Sequence, residues 1–350
     1  MSPTYFSLFI ALFLSFSLPL HSTTPYVSPN TLFPNYQNML KSFKVFTYTA
    51  PEPLIFSTTP ESLFFSSLQN SPFITQDPEQ AHLFFVPFSS HRSTRSLGRL
   101  ISRLRNDFPF WNRTLGADHF YISCQGLSFN SDRNILELKK NSVQISCFPT
   151  LRTEFVPHKD ITLPPFADLH RLNAPTNKTK LHLGFVRFGA VEESSLITEL
   201  LDDPDFYVES GPSDELTYQE RLENSKFCLF EYGKGDISGI SDAMRFGCVP
   251  VVMTDRPIQD LPLLDVLRWQ EIAVFVGWNE DKGVKVNSLK KFLYRTWRNE
   301  QYEEVSRFCV MAGRHFVWNE EPQPYDAFHM VMYQLWLRRH VIRYARREVA

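Results

Sequence analysis

Residues 218–269 read YQERLENSKFCLFEYGKGDISGISDAMRFGCVPVVMTDRPIQDLPLLDVLRW, and the fold of the whole chain is read outward from them. Two short apolar runs, 227–232 and 249–254, are bounded by turn residues. Strands covered on both faces of a parallel sheet look like this. A helix over 218–225 precedes the first run. Between the runs lie a bend carrying Gly233, Gly235 and Gly239 and a helix over 241–246 that opens near Ser238 to Ser241. Strand, bend, helix and strand make one α/β unit. In open α/β sheets ligands sit beyond the carboxyl ends of strands, where loops feed helix starts. The candidate binding residues are therefore Gly233, Lys234, Gly235, Ser238, Gly239, Ser241 and Asp242. Glycines admit backbone N–H groups close to a diphosphate, Lys234 supplies a cation, and Asp242 is suited to ribose hydroxyls. The same residues also fit a plain turn in which Asp242 complements a helix dipole. Neither a GxGxxG fingerprint nor a Walker loop is present.

The alternation continues on both sides. Upstream, strands are expected over 43–48, 82–88, 118–123 and 143–147, with helices over 61–69 and 97–107. Leu97, Leu100, Ile101 and Leu104 fall on one helical face. Pro164, Pro165, Asn173, Pro175 and Asn177 mark a boundary over 164–180. A second set follows, with strands over 181–188, 206–209 and 272–276 and a helix over 192–201. Helices at about 288–313 and 325–347 end the chain. The predicted architecture is α/β, with two Rossmann-like domains, 41–172 and 173–320, facing a cleft. A C-terminal helix (321–350) completes it. The arginines at 338, 339, 343, 346 and 347 share that helix with Phe328, Val331, Leu335 and Ile342 at helical spacing, which makes it a packed helix with a solvated face.

Composition narrows the class. The 350 residues are 43% hydrophobic and 21% charged, a globular composition that excludes a disordered chain. Thirty-six Lys and Arg stand against 38 Asp and Glu, so no positive field favours nucleic acid. Five Cys are too few for a disulfide scaffold, and no Cys/His set has zinc spacing. Residues 5–20 (YFSLFIALFLSFSLPL) are uncharged and apolar, so 1–21 reads as a signal peptide or signal-anchor. Residues 22–40, rich in Ser, Thr, Pro and Asn, read as a short stem. Either leader places the rest in the secretory lumen, where Asn112 and Asn177 head glycosylation sequons. Cys124 and Cys147 are one pairing among several there, and the odd count leaves at least one thiol unpaired.

The stretch at 218–269 resembles the donor-binding core of plant exostosin-family glycosyltransferases, glycosyltransferase family forty-seven. The resemblance rests on Ser225-Lys226-Phe227-Cys228-Leu229, Asp242-Ala243, Gly247-Cys248-Val249-Pro250-Val251 and Asp255. Leu261-Pro262-Leu263 and Asp265-Val266-Leu267 then lead into Trp269. Further landmarks occur in order upstream, at 43–48, 81–87, 110–113, 116–120 and 159–165, so the likeness spans about 41–300. It implies a GT-B fold, with the acceptor on the first domain and a nucleotide-sugar on the second. It also implies an inverting transfer from a UDP-sugar, without an obligatory metal or other cofactor, to a cell-wall polysaccharide or glycoprotein glycan. The implied setting is the Golgi membrane with the catalytic part in the lumen (a secreted form if the leader is cleaved), and the implied partners include other Golgi transferases. The one Asp-x-Asp of the lumenal chain, Asp203-Pro204-Asp205, is a poor ligand pair because of its proline.

Two places depart from the family pattern. No Arg lies between Arg221 and Arg245, where the family carries one, which leaves Lys234 as the cation. Cys124-Gln125-Gly126 stands where the family has His-Asp. These departures keep a second reading open, a catalytically silent relative that binds a glycan or assists an active transferase. Inverting transfer needs a base for the acceptor hydroxyl. His91, beside Arg92 and Arg95, follows a predicted strand, at the end where sites form. Asp118 and His119 precede one. These three are the catalytic candidates.

Overall fold

A computed structural model describes residues 24–50, 52–128, 132–150, 155–166, 179–188, 195–211, 213–233, 237–277, 286–298 and 301–347. In the first half, helices α1 (Pro29–Ser42), α2 (Thr59–Gln69), α3 (Thr94–Asp107), α4 (Pro109–Thr114) and α5 (Arg133–Asn141) surround a parallel sheet. Its strands β1 (Val45–Thr47), β2 (Leu83–Phe85), β3 (His119–Ile122), β4 (Val143–Cys147) and β5 (Ile161–Leu163) lie side by side in chain order. The β2 residues Leu83, Phe84 and Phe85 are all buried, as a doubly covered strand requires. The α2 helix starts at a capping box in which Thr58 accepts from Glu61 N–H and the Glu61 carboxylate accepts from Thr58 N–H. In α3 the expected face, Leu97, Leu100, Ile101 and Leu104, is the one that packs inward.

The second sheet contains β6 (His182–Phe188), β7 (Phe206–Ser210), β8 (Ser225–Glu231), β9 (Val249–Thr254) and β10 (Val274–Gly277), in the spatial order β10-β9-β8-β6-β7. All its pairs are parallel. Helices α6 (Ser195–Leu201), α7 (Glu215–Asn224), α8 (Ile240–Arg245), α9 (Val286–Trp297) and α10 (Gln301–Gly313) accompany it, and α11 (Ala327–Arg347) ends the described chain. The chain steps from β6 outward to β7, then returns to the other side of β6 as β8. A topological switch point therefore lies between β6 and β8.

The loops beyond the strand carboxyl ends of the two sheets meet. Thr150, after β4, reaches Asp260, after β9; Ser241 in α8 donates to Pro165 O, after β5; and Trp318 Nε1 donates to Pro164 O. Two Rossmann-like units joined at these ends form a GT-B arrangement. One continuous apolar core runs through both, from Phe120, Ile145 and Leu163 to Ile240, Trp269 and Met330. The C-terminal helix crosses back to the first sheet, where Arg338 donates to Lys159 O and Asp160 O.

Residues 29–40, expected within a stem, are instead helical and packed. Leu32, Tyr36 and Met39 of α1 are buried, and Tyr36 stacks on Tyr325 with ring centroids 4.0 Å apart. Burial of that apolar stripe overrides a loop-like composition. Just upstream, Tyr26 bridges to Leu267 and its hydroxyl meets His315 Nε2 at 3.0 Å. The leader at 1–21 and the Asn177 sequon lie outside the described residues, among which no helix is long and apolar enough to cross a membrane. Disulfides join Cys124 to Cys147 and Cys228 to Cys248. Cys309 is a buried free thiol whose pKa burial pushes up to about 12.

Candidate active site in the cleft between the sheets

The β8 strand is apolar and enclosed through Phe227, Cys228 and Leu229, becomes half-buried at Phe230 and Glu231, and leads into the buried Tyr232. Gly233 turns the chain at φ +82°, a backbone state that costs an L side chain and suits glycine. Lys234 and Gly235 lie outside the described residues. The chain returns through Ser238 and Gly239, both half-buried. A Cβ on Gly239 would stand 2.9 Å from the Tyr218 hydroxyl, so the bend passes close under α7, and a larger residue there would have to displace that hydroxyl. Ser241 is buried, its hydroxyl committed to Pro165 O at 2.9 Å. Asp242 is 1% exposed, so its carboxylate offers no open face to a ribose in this structure.

The next strand ends in a second turn. Thr254 Oγ1 donates to Arg256 O at 2.6 Å and accepts from Arg256 N–H at 3.2 Å, which fixes the Arg256 backbone. The guanidinium lies over the Tyr232 ring, 5.2 Å from its centroid. Tyr232 is held in turn, because its hydroxyl donates to Asp260 Oδ1 at 2.6 Å. The other Asp260 oxygen accepts from Thr150 N–H at 2.7 Å and Thr150 Oγ1 at 2.8 Å. These groups enclose a cavity of about 200 Å³. Thr150, Phe155 and Pro157 line it from the first domain, and Tyr232, Arg256, Pro257, Gln259 and Asp260 from the second. It therefore combines two aromatic faces, a cation, an amide and hydroxyls, the mixture that holds a polar organic ligand. At the neighbouring switch point Arg187, on β6, lies over the Tyr218 ring at 4.1 Å.

Residues 39–287 match the Exostosin GT47 domain. The chain belongs to that glycosyltransferase family. A "Probable glycosyltransferase" of Arabidopsis thaliana is 29% identical over 93% of this GT47 protein and 73% of its own length. A "Probable glucuronosyltransferase" of Physcomitrium patens is 27% identical over 76% and 66%. A "Probable beta-1,4-xylosyltransferase" of Arabidopsis thaliana is 28% identical over 76% and 72%. Among solved structures, a glycosyltransferase from Rickettsia africae aligns over 86% of this chain and 98% of its own at 8% identity, with a TM-score of 0.37.

The three catalytic candidates of the GT47 protein sit in different places. His91 is exposed on the turn after β2, on the carboxyl side of the first sheet, outside the residues that line the cavity. Asp118 and His119 are placed otherwise than a base for a bound acceptor requires. Both are 0% exposed at the amino end of β3, the far edge of the sheet. His119 stacks on Phe84 (5.0 Å) and Tyr48 (5.6 Å). Burial raises the Tyr48 pKa, so its hydroxyl stays protonated and donates to His119 Nε2 at 2.8 Å. His119 Nδ1–H then donates to Asp118 Oδ1 at 2.8 Å, and Thr114 Oγ1 donates to the same oxygen at 2.5 Å. The pair is a satisfied core network. Asp203 and Asp205 are spent on Lys290, at 2.8 and 2.5 Å. Among the described residues no three His, Cys, Asp or Glu side chains group as a metal site.

Arg256, Asp260 and Thr150 were not among the sequence candidates. A signal for Arg256 existed, since Asp255-Arg256-Pro257 directly follows the apolar run 249–254. Applying the carboxyl-end rule to β9 as well as β8 finds it.

Proposed function

We propose that this GT47 protein transfers a sugar, with inversion, from a UDP-sugar to a cell-wall polysaccharide or glycoprotein glycan. The reaction would take place in the Golgi lumen, with residues 5–20 as membrane anchor and other Golgi transferases as partners. The observation that carries the reading is the cation-bearing cavity between the domains, at the ends of β8 and β9. Family membership and relatives named for glucuronosyl and xylosyl transfer support it, since both sugars are activated on UDP. The two disulfides suit an oxidising lumen.

In the proposed reaction the acceptor oxygen attacks the anomeric carbon as the bond to the diphosphate breaks. The hydroxyl proton passes to a base, for which His91 is the candidate on the cleft side. Charge gathers on the departing diphosphate and is met by backbone N–H groups of the glycine bend and by cations, so no metal is needed. The direct test is UDP release by the purified chain. Donors would be UDP-galactose, UDP-xylose, UDP-arabinose and UDP-glucuronate, with mixed wall oligosaccharides as acceptors and with and without EDTA. Acceptor-dependent release that survives EDTA is expected. Thermal stabilisation by UDP without turnover would favour the silent, glycan-binding alternative, and no stabilisation at millimolar UDP would remove the nucleotide reading altogether.

A further inference from the structure

We propose that Arg256 holds the donor's diphosphate and neutralises it as it leaves, the task that no arginine between Arg221 and Arg245 is present to perform. The inference rests on the nucleotide-sugar reading above.

Position comes first. Arg256 follows β9 at its carboxyl end, lines the cavity and stands beside the glycine bend after β8. A Cβ on Gly233 would lie 3.2 Å from Arg256 Nη2, so the guanidinium stands directly against the bare backbone of the bend. Preorganisation comes second. The Thr254 turn fixes the backbone, and the Tyr232 ring carries the head, itself anchored through Asp260. Little side-chain freedom remains to be lost on binding. Availability comes third. The side chain is 26% exposed, and its Nη1 lies 3.3 Å from Asp255 Oδ1, a carboxylate that is itself 39% exposed. An ion pair that open to water is weak. A diphosphate offers two oxygens to the planar fork and displaces it. When the bond from the anomeric carbon to the phosphate oxygen breaks, its electron pair stays on that oxygen, the acceptor oxygen takes its place on carbon, and the proton goes to the base. The leaving group thus gains one negative charge beside Arg256.

Calorimetric titration of the full chain with UDP, UMP and UDP-glucuronate tests this, together with Arg256→Gln, Arg256→Lys and each variant's thermal midpoint. Expected is a loss of UDP affinity of about tenfold or more in Arg256→Gln, with UMP affected less, so that the advantage of UDP over UMP shrinks. Arg256→Lys keeps stem and charge without the fork and falls between the two. It also carries the test if Arg256→Gln does not fold. Wild-type UDP affinity in both variants overturns the proposal. A loss confined to UDP-glucuronate overturns it too, because Arg256 would then read a sugar carboxylate. A wild-type chain that binds none of the three nucleotides overturns the nucleotide reading itself, a distinct result.

Discussion

A single buried carboxylate, Asp260, takes hydrogen bonds from both domains, from Tyr232 on one side and Thr150 on the other. Asp260→Asn turns an amide donor toward existing donors and strands at least one of them. We expect a loss of about 2 kcal/mol in unfolding free energy, read as a lowered urea midpoint at unchanged slope. A midpoint equal to wild type would mean that these bonds do not hold the interface. Nothing in the local sequence marks Asp260, because its partners lie 28 and 110 residues away. Asp118 and His119 are the converse. An adjacent acid and histidine resemble catalytic machinery, yet the aromatic rings that enclose them come from Tyr48, Phe84 and Trp111, on separate elements. The glycine bend was legible because conformation alone dictates glycine at Gly233.

At the level of elements, Lys180 ties together the starts of three strands. It precedes β6, and its ammonium donates to Ser225 O at 3.0 Å, where β8 begins, and to Gly247 O at 2.7 Å, just before β9. Burial holds its pKa down to about 8, against an ordinary 10.5. Between those values the unfolded chain keeps a proton that the folded chain has released. Stability therefore rises with pH across that window, and the folded state bears the full penalty below about 8. Chemical denaturation from pH 7 to 10 should show this rise, and Lys180→Met should flatten part of it. An identical slope in the variant would assign the effect elsewhere. The strands themselves were plain in sequence. Apolar runs bounded by turn residues located β8 and β9 to within two residues. Helix α1 escaped because Ser, Pro and Asn dominate its stretch, while its three anchors, Leu32, Tyr36 and Met39, are too few to stand out.

Across the whole molecule one apolar cluster passes through both sheets, and each sheet also packs a cluster of its own. Removing residues through Ser42 would strip α1 and Tyr26 from Tyr325, His315 and Leu267. We expect that shortened chain to melt well below the intact one, or to fail to fold, as read by circular dichroism; an equal melting temperature would reduce α1 to an appendage. The two Rossmann-like units were legible from alternation, and their GT-B arrangement from the resemblance at 218–269. Its closure was not, because it depends on contacts between loops with no periodicity. That closure bears on turnover. Thr150, Pro164 and Pro165 are all fastened across the gap, and Thr150 also lines the chamber that Arg256 faces. Jaws clamped at their lips cannot swing apart each cycle without undoing those fastenings. In the proposed reaction, donor and released nucleotide would then pass by local yielding of side chains, at the doorway instead of the hinge.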